Sequence, residues 1–335
     1  MAYILNDPTI FKIKPLTPFD VYKLSAEVFD NNFLPIRWID SKSSSKHHLI
    51  DAIKCGNLKC VKYLGGKGYQ LTESYGKLAA QYDQLNILEY LYEQGCPLGL
   101  SICQSAAFHG HLNILKYAFD HNCPHNVWTC TLAAASGHLE CLIYLHEEGC
   151  PWDEETFENA IRHGRLECIK YMHTNGCPRW DEESYHFATL EGHLEILQYL
   201  HEQGYIWDEW TCEQAAKNGH LDCLIYLHEN GCPWSRLTCD SAAENGHLDC
   251  LIYLHEEGCP WNERACKLAV ESGYLNCLIY LHEEGCVWGR RTCEAAAIYG
   301  HLDCLKYAIE GGCSYNWDAL RTNHKDIKLY LQTIV

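Results

Sequence analysis

Ala215-Ala216-Lys217-Asn218-Gly219-His220-Leu221-Asp222-Cys223-Leu224-Ile225-Tyr226-Leu227-His228-Glu229-Asn230-Gly231-Cys232-Pro233-Trp234 is the stretch whose reading decides the fold. Upstream of the glycine, Cys212, Ala215 and Ala216 fall at helical spacing, so Thr211 to Asn218 reads as a helix that Gly219 ends in a left-handed conformation. A second helix opens at Leu221. Asp222 sits in its first turn, where a carboxylate complements the positive end of the helix dipole, and Leu224, Ile225 and Leu227 carry the apolar stripe onward. Gly231 stops it and Pro233 bars continuation.

The same turn recurs as Gly110-His111-Leu112, Gly137-His138-Leu139, Gly164-Arg165-Leu166, Gly192-His193-Leu194, Gly246-His247-Leu248, Gly273-Tyr274-Leu275 and Gly300-His301-Leu302, at a pitch of 27 residues. Gly56-Asn57-Leu58 and Asp83-Gln84-Leu85 extend the register towards the N-terminus. Repetition at this period means a stacked array whose units cannot bury their apolar faces alone. Glycine ends the second helix in nearly every unit, with Asn122 as the exception, and asparagine is the next-best residue for that geometry. Paired alanines such as Ala106-Ala107 and Ala242-Ala243 let neighbouring first helices approach closely. Trp152, Trp207, Trp234, Trp261 and Trp288 share one site just past the turn, with Trp180 displaced by the inserted Arg179, and each is expected to wedge between consecutive repeats.

Twenty-two cysteines must be core, disulfide or metal ligands, and their places discriminate. Eight lie at the turn (Cys96, Cys123, Cys150, Cys177, Cys232, Cys259, Cys286, Cys313), six at one place in the first helix (Cys103, Cys130, Cys212, Cys239, Cys266, Cys293) and seven in the second. Where a repeat lacks one, the replacement is apolar or aromatic: Ile87, Ile114, Ile196, Phe157, Tyr185 or Tyr205. A metal ligand does not tolerate exchange for isoleucine, whereas a small buried hydrophobe does, so these read as reduced core thiols in an intracellular compartment.

The chain of 335 residues carries 26 Lys and Arg against 44 Asp and Glu, for a formal charge of -18. That field repels phosphate backbones, so nucleic acid and anionic membrane surfaces are not expected partners. No apolar run reaches the roughly 18 to 20 residues needed to span a bilayer, and Met1 to Pro8 lacks a signal peptide's basic start. The expected organisation is a non-repeat segment over 1–45 with about one helix from Thr17 to Val28, an array over 46–317, and a C-terminal capping half-repeat over 318–335. Ser41 to Lys46 reads as a linker.

Ala-Ala-x-x-Gly-His-Leu, an apolar helix and then x-x-Gly-Cys, as in Ala215 to Cys232, resembles the ankyrin repeat. The Gly231-Cys232-Pro233-Trp234 version is similar to the shortened repeats of giant DNA viruses of amoebae. The resemblance covers 47–335. It implies an all-α solenoid of about ten ankyrin-like helix-turn-helix units. Ankyrin units run to about 33 residues, so the shorter pitch implies that the β-hairpin between units is reduced to a tight turn.

Candidate sites must be separated from this lattice. His228-Glu229 begins a zinc-protease motif, but Cys232 stands where the second histidine is required. Gly65-Gly66-Lys67-Gly68 looks like a phosphate loop yet falls, in register, at the end of a second helix with no strand before it. The turn histidines are exchanged for Arg165, Tyr274, Asn57 or Gln84, which points to hydrogen bonds across turns and not to catalysis. No catalytic residue, metal or cofactor is expected.

One pattern escapes the lattice: Asp153-Glu154-Glu155, Asp181-Glu182-Glu183 and Asp208-Glu209-Trp210, then Ser235-Arg236-Leu237, Asn262-Glu263-Arg264 and Gly289-Arg290-Arg291. Stacked about 8 to 10 Å apart, these helix starts run from acidic to basic along one edge. The reading is a monomeric, intracellular, non-enzymatic protein-binding scaffold, viral and acting on host or viral proteins. Glu154, Glu182, Glu209, Trp210, Arg236, Arg264 and Arg290 are its contacts. The competing reading makes residues 1–45 the recruiting segment of a ubiquitin-ligase adaptor.

Overall fold

In a computed structural model, residues 45–66, 71–178, 183–313 and 322–334 are described, and all regular structure among them is helical. The expected helix from Thr17 to Val28, the recruiting role of 1–45, Trp180 and Glu182 lie outside the described residues.

Helices alternate first and second through the chain. Pairs are α1 (Ser45–Lys54) with α2 (Leu58–Gly65), α3 (Glu73–Gln81) with α4 (Leu85–Glu93), α5 (Leu100–His109) with α6 (Leu112–Asp120), and α7 (Val127–Ser136) with α8 (Leu139–Glu147). Next come α9 (Glu154–Arg162) with α10 (Leu166–Thr174), α11 (Glu183–Leu190) with α12 (Leu194–Glu202), and α13 (Glu209–Asn218) with α14 (Leu221–Glu229). The last are α15 (Arg236–Asn245) with α16 (Leu248–Glu256), α17 (Glu263–Ser272) with α18 (Leu275–Glu283), α19 (Arg290–Tyr299) with α20 (Leu302–Glu310), and a single α21 (Lys325–Ile334). This is an ankyrin-like α-solenoid. Ser45 and Lys46 already belong to α1, so the linker expected to reach Lys46 ends sooner; Leu49, Ala52 and Ile53 are fully buried and draw that helix back.

The chain forms two compact units, residues 1–160 with 167–178 and residues 161–166 with 179–335. In the first, α3 packs on α5 and α5 on α7, while α6 packs on α8. In the second, α11, α13, α15, α17 and α19 pack in succession, and α12, α14, α16, α18 and α20 do the same beside them. The paired alanines are the reason: Ala106, Ala107, Ala215, Ala216, Ala242 and Ala243 are all 0% exposed.

The turn between helices is built from glycine and histidine together. Gly110 has φ +77°, and a Cβ there would lie 2.5 Å from Nδ1 of His138, the turn histidine of the following repeat. His138 reaches back over it so that Nε2–H donates to the Phe108 carbonyl at 3.1 Å. His220 bonds the Leu190 carbonyl in the same way at 2.9 Å, and His301 the Glu271 carbonyl at 3.1 Å. The expected turn-bridging role is thus a tie between repeats to a first-helix carbonyl that the helix itself leaves unpaired. Gly231, at the end of a second helix, has φ +83° with nothing near its missing Cβ, which is why Asn122, at φ 54°, serves in the equivalent place.

The tryptophans also join repeats, but as half-buried plates. Trp234 stacks on His228 at 3.7 Å and meets Tyr253 of the next second helix edge-on at 6.2 Å. His228 Nδ1 and the Tyr253 hydroxyl hydrogen-bond at 2.9 Å and close the triad. Trp152, Trp207, Trp261 and Trp288 sit on His146, His201, His255 and His282 likewise, with Tyr171, Tyr226, Tyr280 and Tyr307 as third members. The histidine of the His-Glu sequence is therefore occupied structurally.

Candidate partner-binding surface

The triplets that open the first helices divide into a cap and an outward pair. Asp208 Oδ1 accepts hydrogen bonds from the Thr211 backbone N–H at 3.0 Å and its hydroxyl at 2.9 Å. Asp153 makes the same pair with Thr156, Ser235 Oγ accepts from the Leu237 N–H at 3.2 Å, and Asn262 Oδ1 from the Arg264 N–H at 2.9 Å. Burial raises the Asp208 carboxyl, but the two bonds from Thr211 and the neighbouring His186 outweigh it and hold the group below its usual range. Asp153, Asp208, Ser235 and Asn262 are thereby committed to the helix end, and the two residues that follow each of them are exposed.

Glu154 in the first unit and Glu209 and Arg236 in the second are exposed at the first position of their helices. Arg290 opens α19. Trp210 is 42% exposed at the second position, touching the His186 ring edge-on at 4.0 Å. Arg264 also stands at a second position, about 100° round the helix from Glu209 and Arg236. Position by position, the second unit therefore reads Glu209, Arg236, Glu263, Arg290 in one row and Trp210, Leu237, Arg264, Arg291 in the other. The single acidic-to-basic edge resolves into two rows, because successive helical residues point in different directions. Only the second row passes cleanly from apolar to basic.

A third row was missed by reading the triplets alone. His186, Glu213, Asp240, Lys267 and Glu294 follow the first-helix cysteine, or Tyr185 in its place, and face along the same stack. Asp240 is 3% exposed and neither carboxylate oxygen accepts a hydrogen bond; its partner is Arg264, whose Nε lies 3.3 Å from Oδ2. Burial raises the Asp240 carboxyl above the usual range despite the opposing pull of Arg264 and Arg236. A cleft of about 960 Å³ opens beside it between α17 and α19, lined by Glu263, Arg264, Lys267, Leu268, Glu271, Gly289, Arg291, Thr292 and Glu294. The signal available in sequence was the uniform polarity of this row at a place otherwise flanked by core.

Asp240 supplies a stability prediction. Replacing it with threonine, the residue α7 carries there as Thr131, should stabilise the second unit by about 1 kcal/mol at about pH 7, by removing a buried carboxylate that lacks hydrogen bonds. A folded carboxyl with a raised pKa holds its proton more tightly than the unfolded one. The wild type therefore loses this stability as pH rises from about 4, where the unfolded group ionises, through the folded value. Denaturation midpoints of Asp240→Thr and wild type should coincide near pH 4 and separate by neutrality; a constant gap would contradict the assignment.

These features define a class: a helix-pair array in which repeated residues are buried or bonded and the first-turn residues vary on the outside. Residues 184–228, covering α12, α13 and nearly all of α11 and α14, match the family of ankyrin repeats (many copies). No curated protein matches the chain. Ankyrin repeats generally mediate protein–protein interaction. Among the described residues no helix is long and apolar enough to cross a membrane, and no group of three or more His, Cys, Asp or Glu is placed to hold a metal ion.

Proposed function

We propose that the chain is a non-enzymatic scaffold that binds a protein partner through the first turns of its first helices. The observation that carries this reading is the contrast within each repeat. Ala, Cys, Leu, the turn histidine and the His-Trp-Tyr triad are all consumed by packing or hydrogen bonds, while Glu154, Glu209, Trp210, Arg236 and Arg264 are exposed and differ from repeat to repeat. A lattice that holds variable side chains at fixed spacing is a recognition surface. The reactive residue types are members of repeated classes with structural work, so they support binding over catalysis. Similarity of the short unit to repeats of giant DNA viruses of amoebae makes the reading viral, with host or viral proteins as partners.

The mixed rows of the second unit favour a partner surface with a basic residue facing Glu209 and acidic ones facing Arg236, Arg264 and Arg290, and the acidic triplets that hold Glu154 and Glu182 extend the same preference in sequence. Reversing Glu154, Glu182 and Glu209 together to lysine should reduce quantitative affinity capture about tenfold or more while helicity by circular dichroism stays unchanged. Equal capture by the reversed and wild-type chains would remove these residues from the interface.

A further inference from the structure

The first-helix and turn cysteines are not two independent sets. Within one repeat they lie 20 residues apart in sequence and the first-helix thiol reaches the backbone of the turn cysteine. Cys130 Sγ–H is directed at the Cys150 carbonyl at 3.7 Å, while Cys150 Sγ–H donates to the Asn126 carbonyl at 3.3 Å. Cys239 with Cys259 repeats the geometry at 3.9 and 3.2 Å. Cys212 reaches the Cys232 carbonyl at 3.9 Å and Cys266 the Cys286 carbonyl at 4.0 Å, and Cys103 with Cys123 and Cys293 with Cys313 stand at the same two places of their repeats.

Replacements separate these pairs from ordinary core cysteines. The second-helix thiol gives way to Ile114 in a repeat that keeps both Cys103 and Cys123, as a packing residue independent of the pair would. In the paired set, the repeat that lacks the first-helix cysteine as Tyr185 also lacks the turn cysteine as Tyr205, and those two rings meet edge-on at 5.5 Å. Two repeats keep a turn cysteine without a thiol opposite it: Cys96 faces the Gly76 position and Cys177 the Phe157 position. They are built-in controls.

We propose that the six thiol pairs are modification sites for small-molecule disulfides, each closing an internal Cys–Cys bridge from the first helix to the turn that ends the second. The turn sulfur reacts first. It is 2–5% exposed in every repeat, whereas its first-helix partner is 0% exposed. A bond from the Cys293 thiol also holds Cys313 down to about 7, while burial pushes the unpaired Cys177 up to about 12.

Deprotonated, the turn thiolate attacks one sulfur of a disulfide R–S–S–R. A mixed disulfide forms and R–S⁻ leaves. The first-helix thiol then gives its proton to that released thiolate and attacks the turn sulfur, expelling the second R–S⁻ as the internal bridge closes. Two protein thiols are oxidised by two electrons and one R–S–S–R is reduced to two thiols. The bridge encloses the whole second helix, so an oxidised repeat resists opening.

The full-length chain, folded and incubated with oxidised glutathione, then alkylated with iodoacetamide and digested without reductant, tests this by mass spectrometry. Expected are linked peptides joining cysteines 20 residues apart, such as Cys130 to Cys150 and Cys293 to Cys313, none internal at Cys96 or Cys177, and a rise in thermal midpoint that dithiothreitol reverses. Cys239→Ser should leave Cys259 carrying one glutathione. Absence of internal bridges in the folded chain, or bridges distributed over other separations, would overturn the proposal; should Cys239→Ser fail to fold, the wild-type map alone decides it.

Discussion

Trp234→Ala lowers the stability of the second unit by about 2 to 3 kcal/mol and splits or broadens its unfolding transition. The magnitude is below the roughly 3 to 5 kcal/mol of a fully buried aromatic, because the indole is half-buried. Three contacts go together: the stack on His228 at 3.7 Å, the edge contact with Tyr253 at 6.2 Å and the support that holds His228 Nδ1 against the Tyr253 hydroxyl. His228 lies in the last turn of α14 and Tyr253 in α16, so the loss falls on the interface between two repeats and not within one. In an array whose stability is a sum of repeat and nearest-neighbour terms, weakening one interface uncouples what lies on either side. Urea titration followed by circular dichroism should show a shifted, shallower transition, and Trp234→Phe should recover part of the loss. A midpoint and slope equal to wild type would show that the triad carries no coupling.

Gly110→Ala in the first unit costs about 3 kcal/mol, from two sources that act at one atom. An L residue at φ +77° bears about 1 to 2 kcal/mol of steric penalty. The new methyl also occupies the place of the His138 ring, 2.5 Å from Nδ1, so the ring must withdraw and its bond to the Phe108 carbonyl is lost. Gly149, which ends α8 with φ +76° and nothing within reach of a Cβ, provides the comparison: Gly149→Ala should cost only the backbone part. Denaturation of the two variants side by side checks this, and equal losses would show that the histidine tie adds nothing.

Much of the architecture was legible because it is local and repeated. Gly219 and Gly231 mark where helices end whatever surrounds them, and Leu221, Leu224 and Leu227 mark which face turns inward. The opening of α13 two residues before Thr211, at Glu209, was less legible, since it depends on recognising Asp208 with Thr211 as a reciprocal cap. Among surface residues, Glu209, Trp210 and Arg236 were legible as variable positions in a constant frame. Asp240 was not. Its burial and its pairing with Arg264 arise from the neighbouring helix, which sequence spacing alone does not position.

The sequence by itself determined the number and order of the helix pairs, their glycine-ended turns and the list of residues free to vary, because each follows from backbone geometry and from apolar periodicity within a single repeat. Only the tertiary structure decided what each repeated polar residue is for. His138 grips the Phe108 carbonyl, His228 meets Tyr253 beneath Trp234, and the Cys130 thiol reaches the Cys150 carbonyl. These are contacts between residues 20 to 30 positions apart in sequence, created when one helix is laid against another, and a periodic sequence assigns the same letter to a residue whether or not its neighbour completes it.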